Sequence, residues 1–286
     1  KLEEALAQHT GQQRALLFSS GYSANLGVFS ALRDEIDWVL QDKLNHASLI
    51  DGNRLIGLPV QRYLHNNLES LEKKLNKQTG TGLVVTDNVF SMDGDRANID
   101  GIKTISAESG ALLMQDDAHG FGIFESTIPD HSIYMATLGK AAGAMGAFVS
   151  GSSDLIEFLI QKSRPYIYTT AISPSMCVAI LKSLELIKKG EQKEKLFSNI
   201  NYFINCAETL DLHFEPSESA IQPLIIGSSN KALGLSNKLF EAGYFVGAIR
   251  PPTVPLNTAR LRFTLSANHN FSQIESLLQK VKDVMA

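Results

Sequence analysis

Cysteine is scarce in this chain: among its 286 residues only Cys177 and Cys206 carry thiols. They lie far apart and neither has a partner at metal-type spacing. That excludes a disulfide scaffold and a cysteine-rich metal site, and points to a reduced, cytoplasmic setting with both thiols in or near the core. No apolar run approaches the roughly 20 residues that a membrane-spanning helix needs. The opening Lys1 to Ala7 reads as a helix rather than a signal peptide, and a start in mid-helix leads us to expect further chain before it. A basic excess is missing too: 26 Lys and Arg against 30 Asp and Glu leave a net charge of -4, so nothing draws nucleic acid. Repeats, low-complexity tracts and charged tails are absent. What is there is the composition of an ordinary globular chain, 44% hydrophobic and 20% charged, long enough for one large α/β domain and a smaller one.

Short apolar runs alternate with stretches of helical spacing. Strands are expected at Ala15–Phe18, Trp38–Leu40, Val60–Tyr63, Gly82–Thr86, Ala111–Met114, Ile133–Met135 and Ala147–Ser150, separated by helices such as Tyr22–Leu32, Leu49–Leu58, Leu68–Leu75 and Ile99–Glu108. This order predicts a mostly parallel sheet with helices on both faces. After a helix at Asp154–Lys162, the stretch Arg164 to Thr170 reads as a polar, aromatic break before a long helix at Ser173–Lys189. The charge-rich turn Lys188 to Lys195 marks the expected boundary, giving a large domain over 1–190 and a smaller α+β domain over 191–286. The smaller domain should open with a helix at Leu196–Leu210 and carry strands at Gln222–Ile226, Phe245–Ile249 and Arg260–Leu265, covered by helices at Ala232–Ala242 and Ile274–Val284.

The chemistry concentrates between Asp116 and Lys140. An apolar strand stops at the acids Asp116 and Asp117, followed by Ala118, His119 and Gly120, and the next short strand delivers Thr137, Leu138, Gly139 and Lys140. A carboxylate at one strand end and a lysine at the next suit a pyridoxal phosphate enzyme. The amine can carry the aldehyde as a Schiff base, and the acid can keep the pyridine nitrogen protonated. A surface lysine near an ordinary carboxylate would read the same way from these residues alone.

Other strand exits bear on that choice. Ser19, Ser20 and Gly21 precede the Tyr22 helix, whose first N–H groups open beside a glycine, as a phosphate site requires; plain turns look similar. His46 follows the Trp38 strand and Ser91 follows the Gly82 strand, where α/β sheets keep ligands. Taken singly, these are an ordinary loop histidine and a turn serine. Gly21, His46, Ser91, Asp116, His119 and Lys140 together all fall at strand exits on one edge of the proposed sheet.

Ser20-Gly21-Tyr22-Ser23-Ala24-Asn25, Asn45-His46-Ala47-Ser48, Val89-Phe90-Ser91-Met92-Asp93-Gly94, Asp116-Asp117-Ala118-His119-Gly120 and Thr137-Leu138-Gly139-Lys140 resemble, in order, the motifs of the α-oxoamine synthases. These are pyridoxal 5'-phosphate enzymes of the aspartate aminotransferase fold, fold type I, which implies a mostly parallel central sheet with a smaller C-terminal α+β domain. Ala248 to Pro255, Thr258 to Arg262 and Ser219 to Leu224 resemble the branch that joins L-alanine to a pimeloyl thioester in biotin biosynthesis. A branch that transfers acetyl to glycine shares the cofactor motifs, as does the 5-aminolevulinate branch. A non-catalytic relative of the fold is the reading from another class.

The resemblance implies roles residue by residue. Lys140 would be the Schiff-base lysine and the base for the Cα proton, as a buried amine with a lowered pKa. Asp116 would pair with the pyridine nitrogen and His46 would stack on the ring. His119 and Ser91 would bond the ring hydroxyl region, and the amides near Gly21 and Tyr22, with the Thr137 hydroxyl, would hold the phosphate. Arg262 would grip the substrate carboxylate, with Thr253 beside the substrate. Thr169 or Thr170 would reach the phosphate of a partner subunit in a homodimer with shared sites. The acyl carrier is left open between coenzyme A and a carrier protein. Two departures stand out: the family's N-terminal segment, glycine-rich and basic before the first helix, has no counterpart, and the link from Gly122 to Ser132 is short and lacks a Gly-Arg-Gly turn.

Overall fold

A computed structural model describes residues 1–125, 128 and 132–285. The chain divides into two compact units: Lys1–Phe90 with Arg96–Lys188, and Ser91–Asp95 with the stretch from Lys189 onward. Part of the Gly122 to Ser132 link noted above lies outside the described residues.

The first unit runs α1 (Leu2–Thr10), β1 (Arg14–Phe18), α2 (Gly21–Leu32), β2 (Trp38–Asp42), α3 (Ala47–Leu55), β3 (Gln61–Tyr63), α4 (Leu68–Leu75), β4 (Gly82–Asp87) and α5 (Ile99–Glu108). It continues with β5 (Leu112–Asp116), β6 (Ile133–Thr137), β7 (Ala147–Gly151), α6 (Ser153–Lys162), α7 (Arg164–Ile167) and α8 (Pro174–Lys189). Helices begin where a short polar side chain can take a free N–H: Ser20, Asn67, Asn98 and Ser152 each accept a hydrogen bond from the residue three places on. The strands form a seven-stranded sheet in the order β1-β7-β6-β5-β4-β2-β3. β3, β2, β4, β5 and β6 are parallel, whereas β7 runs antiparallel to both β6 and β1. β1 therefore points the same way as β6, and the carboxyl ends of all strands except β7 share one edge.

Alternation along each strand divides the core between the two faces. Met114 and Met135 pack with Val28, Phe29 and Leu32 of α2 and Ile156 and Leu159 of α6 on one face. On the other, Leu113 and Val84 pack with Leu71 of α4 and Ile102 of α5, while Tyr134 and Phe148 pack with Leu6 of α1 and Ile180 of α8. Each large apolar side chain buried in this way contributes roughly 1.5–3 kcal/mol.

The second unit holds α9 (Glu191–Thr209), β8 (Ile221–Gly227), α10 (Ser229–Glu241), β9 (Gly247–Ile249), β10 (Ala259–Thr264) and α11 (Phe271–Met285). Its three strands pair antiparallel in the order β8-β10-β9. The Ser91–Asp95 segment is tied to β10 through the buried Arg260, whose guanidinium donates to the Met92 carbonyl and the Asp93 carboxylate.

Two local expectations are corrected. The break at Arg164–Thr170 contains the short helix α7, started by Pro165 in its first turn, where a missing N–H costs nothing. The charged stretch Lys188 to Lys195 is almost wholly helical. Gly190, at φ 79, ends α8 and α9 begins at the next residue, because charged residues propagate a helix well and only the left-handed glycine interrupts it.

Candidate active site

The side chain of Asp116 is set by its place as the last residue of β5, buried at 3% exposure. Its Oδ1 accepts from the Ala118 N–H at 3.0 Å and its Oδ2 from the Asn25 side-chain amide at 2.7 Å. Asn25, fully buried on α2, also donates to Ser48 Oγ at 2.8 Å, and that hydroxyl lies 2.8 Å from His46 Nδ1. Four groups from three segments thus form one chain of hydrogen bonds, Asp116 to Asn25 to Ser48 to His46. The neighbouring acid faces away: Asp117 Oδ2 accepts from the Tyr134 hydroxyl at 2.6 Å on the opposite side of the sheet. Strand alternation predicts this divergence, and it leaves Asp116 as the acid on the α2 side.

A second buried carboxyl stands beside the first. Asp87 ends β4 and is in register with Asp116 on β5. Its Oδ2 accepts from the His46 backbone N–H at 2.7 Å, and its own N–H donates to Asn45 Oδ1 at 3.1 Å. Burial, and then the charge of Asp116, push the Asp87 carboxyl well above its usual range. Burial raises Asp116 above its usual range too, against the hydrogen bonds from Asn25 and Ala118 and the charges of His46 and Lys140, which act the other way. The physical cause favours a shared proton on Asp87 and an ionised Asp116, which holds the better donors.

The start of α2 makes a cradle. Ser20 caps the helix by accepting from the Ser23 N–H at 3.1 Å, so the N–H groups of Gly21 and Tyr22 belong to its first turn. A Cβ on Gly21 would come within 2.6 Å of Thr137 Cγ2, so only glycine lets this helix end approach the end of β6. Helix N–H groups, a threonine hydroxyl and a glycine-lined gap suit a phosphate. Together with a buried acid for a ring nitrogen and a lysine past the next strand, the donor set fits pyridoxal 5'-phosphate.

The remaining predicted residues fall as follows. Lys140 lies on the bend beyond β6, three residues after the strand ends at Thr137, and is exposed, not buried as expected. Its charge acts on both Asp87 and Asp116. His46 is exposed, His119 and Thr137 are half-buried, and Thr137 Oγ1 donates to the Ala118 carbonyl at 3.4 Å. Tyr22 is 44% exposed and its hydroxyl donates to Asp51. Thr169 and Thr170 are exposed after α7. Ser91, Thr253 and Arg262 belong to the second unit, where half-buried Arg262 donates to the Ser91 carbonyl at 3.0 Å and Thr253 is exposed.

Asn25, Ser48 and Asp87 were not among the residues predicted from sequence. The signal for Asp87 was present, since β4 and β5 both end in aspartate after an apolar run. Asn25 is a lone polar residue on the buried face of an apolar helix.

Residues 1–281 match the family described as aminotransferase class I and II. The 8-amino-7-oxononanoate synthase of Pseudomonas entomophila is 50% identical over 295 aligned positions, covering 99% of this chain and 76% of that protein. Among solved structures, serine palmitoyltransferase of Sphingomonas wittichii superposes with a TM-score of 0.92 at 30% identity, covering 99% of this chain and 74% of the other. The 8-amino-7-oxononanoate synthase of Francisella tularensis superposes with a TM-score of 0.87 at 32% identity, covering 99% and 86%. With its antiparallel β7 in a sheet otherwise parallel, and its acid and lysine at neighbouring strand ends, this chain belongs to the class I and II aminotransferases of fold type I and, within them, to the α-oxoamine synthases.

Proposed function

We propose that this chain catalyses the pyridoxal phosphate-dependent condensation of L-alanine with a pimeloyl thioester, with loss of carbon dioxide, to give 8-amino-7-oxononanoate for biotin synthesis. The observation that carries the substrate choice is the 50% identity, over nearly the whole chain, to a relative of that name. When bound, the cofactor supplies an aldehyde for an amine and a ring that takes up the electron pair released at the amino acid's Cα.

The chain's own residues divide the remaining work. Lys140 would hold the cofactor through its amine and would serve as the general base for the amino acid's Cα proton. Asp116, held by Asn25 and Ala118, would keep the pyridine nitrogen protonated. His46 would stack on the ring, while His119 and Ser91 would bond the ring hydroxyl region. The Gly21 and Tyr22 amides and the Thr137 hydroxyl would hold the phosphate. Arg262 offers the planar fork that a carboxylate fits, with Thr253 also on the substrate. The protein works as a cytoplasmic homodimer in which Thr169 or Thr170 reaches the partner's phosphate. Residues 1–190 form the cofactor domain and 191–286 the C-terminal one. The thioester is that of coenzyme A or of a carrier protein.

The test is the ratio of kcat/KM for a pimeloyl thioester with L-alanine to that for acetyl-CoA with glycine. Each buried methylene contributes about 0.8 kcal/mol, so even partial burial of the longer chain should favour it by well over tenfold. A preference for acetyl-CoA and glycine would move the chain to the ketobutyrate branch and leave the cofactor chemistry intact.

A further inference from the structure

The hydrogen bonds between Asp116 and His46 have a direction that fixes where the histidine proton sits. Both Asp116 oxygens act as acceptors, so the Asn25 atom 2.7 Å from Oδ2 must be the amide nitrogen. Its second hydrogen goes to Ser48 Oγ at 2.8 Å, which makes Ser48 an acceptor on that side. The single Ser48 hydroxyl proton is then free to donate to His46 Nδ1, also 2.8 Å away. The Ser48 backbone N–H also points at Nδ1, at the longer distance of 3.3 Å, and adds a weaker preference for an unprotonated Nδ1. The arrangement leaves the Asn25 Oδ1 buried and without a partner among the described residues. A flipped amide would set a carbonyl oxygen against the Asp116 carboxylate, and this repulsion outweighs the unmet oxygen.

We propose that Asn25 and Ser48 are positioning residues that carry the acceptor character of Asp116 to His46 and hold its neutral imidazole as the Nε2–H tautomer. Neither residue needs to touch substrate. The relay couples the acid assigned to the ring nitrogen with the imidazole assigned to the ring face, so a change of hydrogen-bonding character at Asp116 is read at His46. Its functional meaning rests on the cofactor contacts proposed above, but its existence does not.

The test is the tautomer of His46 in the full chain labelled with 15N-histidine, read from the ring nitrogen shifts and assigned by loss of the signal in His46→Gln. Spectra are recorded without cofactor, so the result does not depend on the substrates. Pyridoxal phosphate binding is followed separately by absorbance, so failure of the relay and failure of the cofactor assignment give different results. Wild type should show the Nε2–H form. In Asp116→Asn the new amide oxygen must stay on the Ala118 N–H, which turns the amide NH2 toward Asn25. Asn25 then flips its oxygen inward, Ser48 donates to that oxygen, and the Ser48 lone pair left facing His46 accepts from Nδ1–H. The expected result is inversion of the major tautomer from Nε2–H to Nδ1–H. Ser48→Ala should abolish this response, so Asp116→Asn made in that background leaves the His46 shifts as in Ser48→Ala alone, whereas Ser48→Thr should restore it. An Asp116→Asn protein with native dispersion and an unchanged His46 tautomer would overturn the relay. So would an inversion that survives in the Ser48→Ala background.

Discussion

Asp87 and Asp116 face one another in register across the adjacent parallel strands β4 and β5, two buried carboxyls at the same edge of the sheet. Such a pair cannot ionise twice without strong repulsion, and its proton is best kept by Asp87, whose carboxyl accepts, among the described residues, from the His46 N–H alone. The folded state therefore binds more protons than the unfolded chain, whose aspartates titrate near 3.8. Stability from this site is fully present below 3.8 and is lost as pH rises through the elevated folded-state value. Asp87→Asn keeps an oxygen for the His46 N–H and removes the repulsion. Urea unfolding at a series of pH values should show the variant gaining on wild type as pH rises above 3.8, with no pH-dependent gain below it. A difference between the two that does not vary with pH would refute the shared proton.

Lys140 is exposed on its bend yet acts electrostatically on both acids, as an amine must if it is to reach over the site. Lys140→Ala should lower kcat by roughly 10²–10⁴-fold or more, the range for a lost general base, with an unchanged circular dichroism spectrum. Borohydride reduction of the loaded protein should place the label on Lys140, and label on another lysine would displace it from its role.

Asp116 and Asp117 are adjacent in sequence but bond Asn25 and Tyr134 on opposite sheet faces. Asp116→Asn should bind cofactor and lose most turnover, since an amide cannot hold a proton on the ring nitrogen. Asp117→Asn should instead keep turnover and lose about 1–2 kcal/mol of stability, the difference between a charged and a neutral acceptor for the buried Tyr134 hydroxyl. Measuring kcat and the urea midpoint for both variants separates these roles.

Gly21 is the closest approach between the start of α2 and the end of β6, and a Cβ there would press on Thr137. Gly21→Val should weaken cofactor binding by about tenfold to a hundredfold, equivalent to one or two backbone hydrogen bonds to a charged group. Equilibrium titration followed at the cofactor's absorbance band measures this directly. An unchanged Kd would remove the phosphate from this helix end.

Much of the molecule was legible without coordinates, because its signals are local. Ser20 and Gly21 announce the start of the next helix, and apolar runs ending at Asp116 and Thr137 announce strand ends. Alternation sets Asp116 and Asp117 on opposite faces, and the family resemblance chose Asp116. The motifs at Gly21, His46, Ser91, Asp116 and Lys140 identified the family because its chemistry needs those groups at successive strand exits. Tertiary structure decided what depends on which strands are neighbours. Asn25 meets Ser48 and Asp116 across 23 and 91 residues of chain, separations that no periodicity encodes. Asp87 became an acid partner only because β4 lies next to β5, and Lys140 proved exposed because β6 ends at Thr137 and the chain bends before reaching it. Local propensity acts over a few residues and writes itself into the sequence, whereas hydrogen bonding between distant side chains is set by strand order and register, which packing of the whole core selects.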